Sequence, residues 1–195
     1  MIHKKIEEYC TQFKLTAIFE NYQSLSDKAS SESLSYSEYL LMLLEKEAKR
    51  REVRSKDIVL RMAHFPVIKT LDGFDFKSSS VDKTKLKELS TMTFIERKEN
   101  ILLLGPSGVG KTHIAIALGY IATQNRIKTK FITVADLLLQ LEAAKLSNSV
   151  DYYFKKVINT NRLLILDEFR YLKLNEIRQT CSFRLSTRNM RQARL

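Results

Sequence analysis

Residues 100–124 read NILLLGPSGVGKTHIAIALGYIATQ, an apolar run, a glycine-studded octet and a second, longer run. No other stretch constrains the fold as strongly. The first run (100–105) has the length and Leu/Ile content of a buried strand, and 111–124 has the length of a helix. The octet Gly105-Pro106-Ser107-Gly108-Val109-Gly110-Lys111-Thr112 fits the pattern G-x-x-x-x-G-K-[ST]. Gly105, Gly108 and Gly110 let the backbone wrap closely around phosphate oxygens without Cβ clashes. The amides from about Gly108 to Thr112 converge at a helix N-terminus, where an anion is favoured. Lys111 has the reach for β- and γ-phosphates, and the Thr112 hydroxyl suits Mg2+. The expected ligands are therefore ATP and Mg2+. His113, the next helical residue, is grouped with the loop, although its side chain reads as packing on the first helix.

After this unit the pattern keeps alternating. A strand is expected at 129–134, a helix at 135–146 with Asp136 near its start, a helix at 150–159, a strand at 162–167 and a helix from about Asn175. Such alternation implies a parallel sheet covered by helices, an α/β fold. The strand RLLILD ends on Asp167, 56 residues after Lys111, and Glu168 follows directly. A carboxylate at Asp167 suits Mg2+ held through water. Glu168 is placed to polarise an attacking water as general base. GPSGVGK also occurs in nucleoside monophosphate kinases such as guanylate kinase, where a glycine commonly follows the lysine. Here Thr112 follows, an acidic pair ends a strand, and no arginine-rich lid is visible. A small-molecule kinase is disfavoured.

Upstream, three regions are expected: helical 1–65, a connector with a helix at 66–99, and the α/β part at 100–195. Ile6, Tyr9, Phe13, Leu15 and Phe19 keep an approximately helical spacing. After a Ser-rich break, Ser35 or Ser37 caps a helix from about Tyr36 to His64, with Glu38 in its first turn. Its later half carries Lys46, Lys49, Arg50, Arg51, Arg54, Lys56 and Arg61. That pattern is compatible with a DNA-facing helix and equally with a solvated helix laced by i,i+4 ion pairs. Pro66 ends the helix, Asp72-Gly73 marks a turn, and a helix is expected over 82–98. Phe74 and Phe76 read either as walls of an adenine pocket or as core.

The net charge is +11, and +6 of it lies after Glu168. This balance favours a polyanionic partner, double-stranded DNA foremost. Two distant cysteines, Cys10 and Cys181, point to unpaired thiols in a reducing cytoplasm. Three scattered histidines argue against zinc. The apolar runs YLLMLL and ILLLG are too short for a membrane span.

With these motifs in place, the chain resembles the IstB-like ATP-binding proteins, AAA+ transposition helpers related to helicase loaders of the DnaC type. The resemblance rests on FKLTAIFENYQ and LSYSEYLLMLLEKEAKRRE, on FPVIKTLDGFDF, and on the two nucleotide motifs FIERKENILLLGPSGVGKTHIAIALGYIA and RLLILDEFRYLKL. It implies a P-loop ATPase of the AAA+ (ASCE) type that assembles as a homo-oligomer on DNA and directs the transposase of the same mobile element. The alternative partner is a replicative helicase. Carried over, the loop falls on Gly105–Thr112, the Mg2+-associated aspartate on Asp167 and the catalytic glutamate on Glu168. Two departures stand out. The family usually has Leu-Gly and then Pro after the acidic pair, where this chain has Phe169, Arg170 and Lys173. The resemblance also leads one to expect a sensor strand, an arginine finger and a lid, none of which is legible after NEIRQTCSFRLSTRNMRQARL. The sequence expectation is therefore a sheet incomplete at the C-terminus, unpaired facing edges on 100–105 and 162–167, and ATP hydrolysis impaired to match. A rival expectation is a non-catalytic DNA-binding or adaptor fragment.

Overall fold

The computed structural model describes residues 1–76 and 81–168, together with the backbone of 190–194. The helix expected from Asn175, the residues Phe169, Arg170 and Lys173, Cys181, and the arginine side chains of the tail lie outside the described residues. The chain divides into two compact units, Met1–Asp57 and Ile58–Leu195.

The first unit holds α1 (Ile2–Gln12), α2 (Thr16–Ser31) and most of α3 (Tyr36–Ala63). Its buried apolar side chains are few and small to medium: Cys10, Ala17, Leu25, Ala29 and Leu43. The helical spacing over 6–19 is interrupted rather than continuous. Lys14 turns left-handed (φ 57°), and the Leu15 amide donates back to Cys10 O at 2.7 Å, closing α1. The Ser-rich segment belongs largely to α2, and the break is confined to the few residues before Tyr36. There Ser35 and Glu38 cap each other reciprocally. The Ser35 amide and hydroxyl donate to Glu38 Oε2, both at 2.7 Å, and the Glu38 amide donates to Ser35 Oγ at 3.3 Å. The Ser35 hydroxyl bond holds the Glu38 carboxyl below its usual range.

No side chain at Leu15, the N-cap position, caps α2. Glu47 of α3 does so from a distance: its Oε2 accepts from the Ala17 amide at 2.9 Å and the Ile18 amide at 3.4 Å. Arg51 Nε holds the other oxygen at 3.0 Å. Glu47 is only 6% exposed, so this carboxylate is part of the interior. A negative charge at a helix N-terminus is also favourable in its own right. Glu47→Ala leaves two amides without their acceptor and is expected to destabilise the helical unit by about 1–3 kcal/mol. Glu47→Gln, which keeps an acceptor oxygen, should lose less. Urea unfolding followed by circular dichroism checks both; an unchanged alanine midpoint would refute the remote cap.

Along α3, Arg51 pairs with Glu47, Lys56 with Glu52 and Arg50 with Glu20. Among the described residues Lys46, Lys49 and Arg54 carry no ion pair. Part of the basic run is thus the ion-pair-laced helix, and part is uncommitted charge.

In the second unit α3 ends at Ala63, with His64 left-handed (φ 57°) ahead of Pro66. The helix expected over 82–98 is split. α4 (Lys83–Ser90) is capped by Asp82, whose Oδ1 accepts from the Thr84 amide at 2.8 Å, and α5 (Thr93–Glu96) follows after a left-handed Met92. Then come β1 (Asn100–Leu104), α6 (Lys111–Gln124), β2 (Thr129–Thr133), α7 (Val134–Leu146), α8 (Val150–Tyr153) with a π-helical turn at Phe154–Ile158, β3 (Leu163–Asp167) and β4 (Met190–Arg194). Thr133 ends β2 and caps α7 at once, its hydroxyl oxygen accepting from the Asp136 amide at 3.1 Å.

β2 and β3 pair in parallel from Thr129 opposite Leu163 to Thr133 opposite Asp167. β1 pairs in parallel with β4, Asn100 opposite Met190 and Leu104 opposite Arg194. This corrects the expectation of an unpaired edge on 100–105, because the backbone of 190–194 supplies its neighbour. The described ladders are these two.

α6 is the hub of the packing. Ile114, Ala117 and Ala122 are fully buried and Ile116 is 1% exposed, so the helix is apolar on more than one face, as an interior helix must be. One face joins Phe74, Leu86, Leu89, Met92 and Phe94; the other joins Phe131 and Ile165. A Cβ on Gly119 would sit 2.5 Å from Ile165 Cδ1 and 2.8 Å from Phe65 Cζ. Glycine there lets α6 lie close enough to β3 to bring its first turn to the strand's end. Among the described residues no helix is long and apolar enough to cross a membrane.

Candidate functional site

Parallel pairing puts the C-terminal ends of β2 and β3 at one end of their ladder, and chain direction delivers the glycine loop from the C-terminal end of β1. In open α/β sheets this is the end where ligands bind. The loop itself is open: Gly105, Pro106, Ser107 and Gly108 are exposed, while Val109 and Gly110 are half-buried. Gly108 and Gly110 have φ of 82° and 90°, left-handed values that a side chain rarely adopts. Gly110 is also the N-cap of α6, its carbonyl accepting from the Ile114 amide at 2.9 Å. The free amides of the first helical turn therefore open onto the loop.

Lys111 and Thr112 are the first two residues of α6. Lys111 Nζ donates to Pro106 O at 2.5 Å, so the ammonium spans the loop it belongs to. The Thr112 hydroxyl lies 2.9 Å and 3.1 Å from the two carboxylate oxygens of Asp167. Residues 55 positions apart thus meet where α6 starts and β3 ends. Glu168, the next residue along, is exposed and left-handed, with φ 64°. A non-glycine residue in that region is held there by its surroundings at a cost of about 1–2 kcal/mol.

His113 points away from this pair. Its Nε2–H donates to Thr70 O at 2.9 Å, and its ring meets Phe74 edge-on at 5.2 Å. Phe74 is 8% exposed and belongs to the core, and Phe76 packs against the same cluster. Thr70 was not among the residues singled out from the sequence, and nothing local marks it.

Among the described residues no group of three His, Cys, Asp or Glu side chains could cage a metal. Magnesium does not need one: it keeps several waters and takes one or two protein groups alongside phosphate oxygens. A hydroxyl and a carboxylate within 2.9 Å of each other, beside a row of helix-opening amides, fit that donor set.

A glycine loop that opens a helix between parallel strands, with an aspartate from a second strand end against its threonine, defines an α/β domain of the P-loop class. Residues 9–193 match the family model described as IstB-like ATP binding protein. The chain belongs to that family. It is 40% identical, over 88% of its length and 68% of the relative's, to the insertion sequence IS5376 putative ATP-binding protein of Geobacillus stearothermophilus. It is 35% identical to the insertion sequence IS21 putative ATP-binding protein of Pseudomonas aeruginosa, over 97% of this chain and 71% of that one. A third relative, the insertion sequence IS232 putative ATP-binding protein of Bacillus thuringiensis, is 36% identical over 83% of this chain and 65% of its own.

Proposed function

We propose that this chain binds magnesium-ATP in the loop Gly105–Thr112 and works with double-stranded DNA and the transposase of an insertion sequence. The observation that carries the nucleotide part is the approach of Thr112 Oγ1 to the Asp167 carboxylate at 2.9 Å, beside a lysine that already bridges the loop. The names of the relatives, each a putative ATP-binding protein of an insertion sequence, support the setting. The net charge of +11 supports DNA as the polyanion, and on α3 Lys46, Lys49 and Arg54 carry no ion pair among the described residues. Self-assembly on DNA belongs to the same proposal.

In this reading the loop amides and Lys111 bind the phosphates, with Lys111 exchanging the Pro106 carbonyl for the β- and γ-oxygens. Thr112 and Asp167, in contact at 2.9 Å, are the residues that would hold a magnesium ion. Bound there, magnesium would supply positive charge to offset that of the phosphates. Glu168 orients water and accepts its proton. Whatever turnover rate the chain reaches passes through that carboxylate.

Asp167→Asn tests the assignment. Wild-type affinity for ATP should be higher in magnesium than in EDTA, and the variant should lose that difference. The magnesium-dependent part should fall by about 10–100-fold, as when a group orienting a metal's shell is removed. Calorimetric titration in the two buffers reads it. A variant that keeps the wild-type magnesium dependence would remove Asp167 from the site.

A further inference from the structure

We infer that Phe74 is a positioning residue for the glycine loop: it holds Gly110, and through it Lys111 and Thr112, at the place where a triphosphate binds. The inference rests on the nucleotide reading above. It goes further by assigning the geometry of the loop to a residue in the connector, 31 positions before the loop's start at Gly105.

Phe74 closes a tight turn. Its amide donates to Leu71 O at 3.1 Å, and the Gly73 amide donates to Thr70 Oγ1 at 3.3 Å. The same Thr70 offers its carbonyl to His113 Nε2 at 2.9 Å, so the turn is tied to the first turn of α6. The Phe74 ring then lies against the loop itself. A Cβ built on Gly110 would come 2.5 Å from Phe74 Cε2 and 3.2 Å from Cζ. Those distances leave no room for a side chain. The Gly110 backbone therefore rests on the ring edge, in a left-handed conformation that only glycine adopts cheaply.

What fixes the ring is its immediate surroundings. Phe74 is 8% exposed, in a cluster that α6 enters through Ile114 and Leu118. His113 and Phe76 meet it edge-on at 5.2 Å and 5.0 Å, an arrangement aromatic rings favour. Packed this way, the ring has one place to be. Gly110 is the N-cap of α6 and directly precedes Lys111 and Thr112, so a displacement of the ring acts on them through a single residue. The ring touches the loop backbone and neighbouring core groups, and its burial leaves it no open face for a base. Its effect should therefore fall on the phosphates and be blind to the base.

The test titrates the full chain with ATP, GTP and inorganic tripolyphosphate in magnesium, for the wild type, Phe74→Leu and Leu86→Ala. Leu86 shares the core cluster and is 4% exposed, but lies in α4 rather than against Gly110. Thermal melts confirm that each variant folds; if Phe74→Leu does not melt cooperatively, Phe74→Met replaces it. Phe74→Leu is expected to weaken ATP and tripolyphosphate by the same factor, on the order of tenfold or more, as small misplacements of binding groups do. Leu86→Ala should lower the melting temperature while leaving affinity in place. Loss of ATP with tripolyphosphate retained would overturn the inference in favour of a base contact. Equal effects of Phe74→Leu and Leu86→Ala would reduce Phe74 to a core residue. A wild type that binds none of the three would overturn the nucleotide reading, and this inference with it.

Discussion

Lys111→Ala is expected to remove ATP binding while leaving the fold intact, a loss of about 100-fold or more in affinity. Lys111 Nζ reaches Pro106 O at 2.5 Å, which places the ammonium over the loop, where a triphosphate concentrates its charge. A charge-assisted hydrogen bond contributes up to about 3 kcal/mol, which is roughly two orders of magnitude in affinity. The stability side has the opposite sign. Lys111 is the first residue of α6, and a cation at a helix N-terminus opposes the helix dipole. Its removal therefore should not lower the melting temperature of the ligand-free chain. A variant that melts like the wild type yet shows no ATP-dependent rise is the expected pair of results. A variant still stabilised by ATP would mean that the nucleotide binds elsewhere.

Glu168→Gln should separate binding from chemistry. The substitution keeps the length of the side chain and asks nothing new of the backbone at φ 64°, but takes away the proposed base. Turnover, measured as phosphate release with double-stranded DNA present, is expected to fall by about 10²–10⁴-fold, the range typical of a lost general base. ATP affinity should stay within about twofold of wild type, because in the proposed site the loop and α6 make the phosphate contacts. Equal rates in both proteins would assign the water-activating role to another group.

How much of this could be read from the residues depends on whether the signal was local. The loop was legible because phosphate binding forces a fixed spacing of glycines, a lysine and a threonine onto one strand–helix junction. The ends of β3 and α6 were legible for the same reason, and the Thr112–Asp167 contact is the meeting those two motifs imply. Helix ends were harder. The chain has five glycines, and three of them sit in the loop, so the glycine that commonly marks a helix C-terminus is missing elsewhere. Lys14, Ser33, Lys98, Arg126 and Asn148 adopt the left-handed position instead. Each is followed by an amide that reaches back five residues, as Leu34 to Ala29 O and Ile127 to Ala122 O, both at 2.9 Å. Lysine, arginine and methionine at such positions carry no turn signal, which is why the breaks at Lys14 and Met92 are not legible in the sequence.

Long-range roles were invisible for a different reason. Glu47 and Arg51 look like an ordinary surface pair one helical turn apart, yet Glu47 is buried and caps a helix 30 residues upstream. Phe74 reads as core or as pocket wall until its distance to Gly110 is known. The segment MRQAR at Met190–Arg194 contains no β-branched or aromatic residue, so propensity gives no strand there, although its backbone pairs with β1.

The most direct single measurement is calorimetric titration of the purified chain with ATP in magnesium, paired with a melt at each nucleotide concentration. Saturable binding at one site per chain, with a melting temperature that climbs as ATP is raised, is the expected result, because a ligand that binds only the native state stabilises it. A cooperative melt that ATP leaves unmoved, with a flat titration, would contradict the assignment of Gly105–Thr112 as a working nucleotide site.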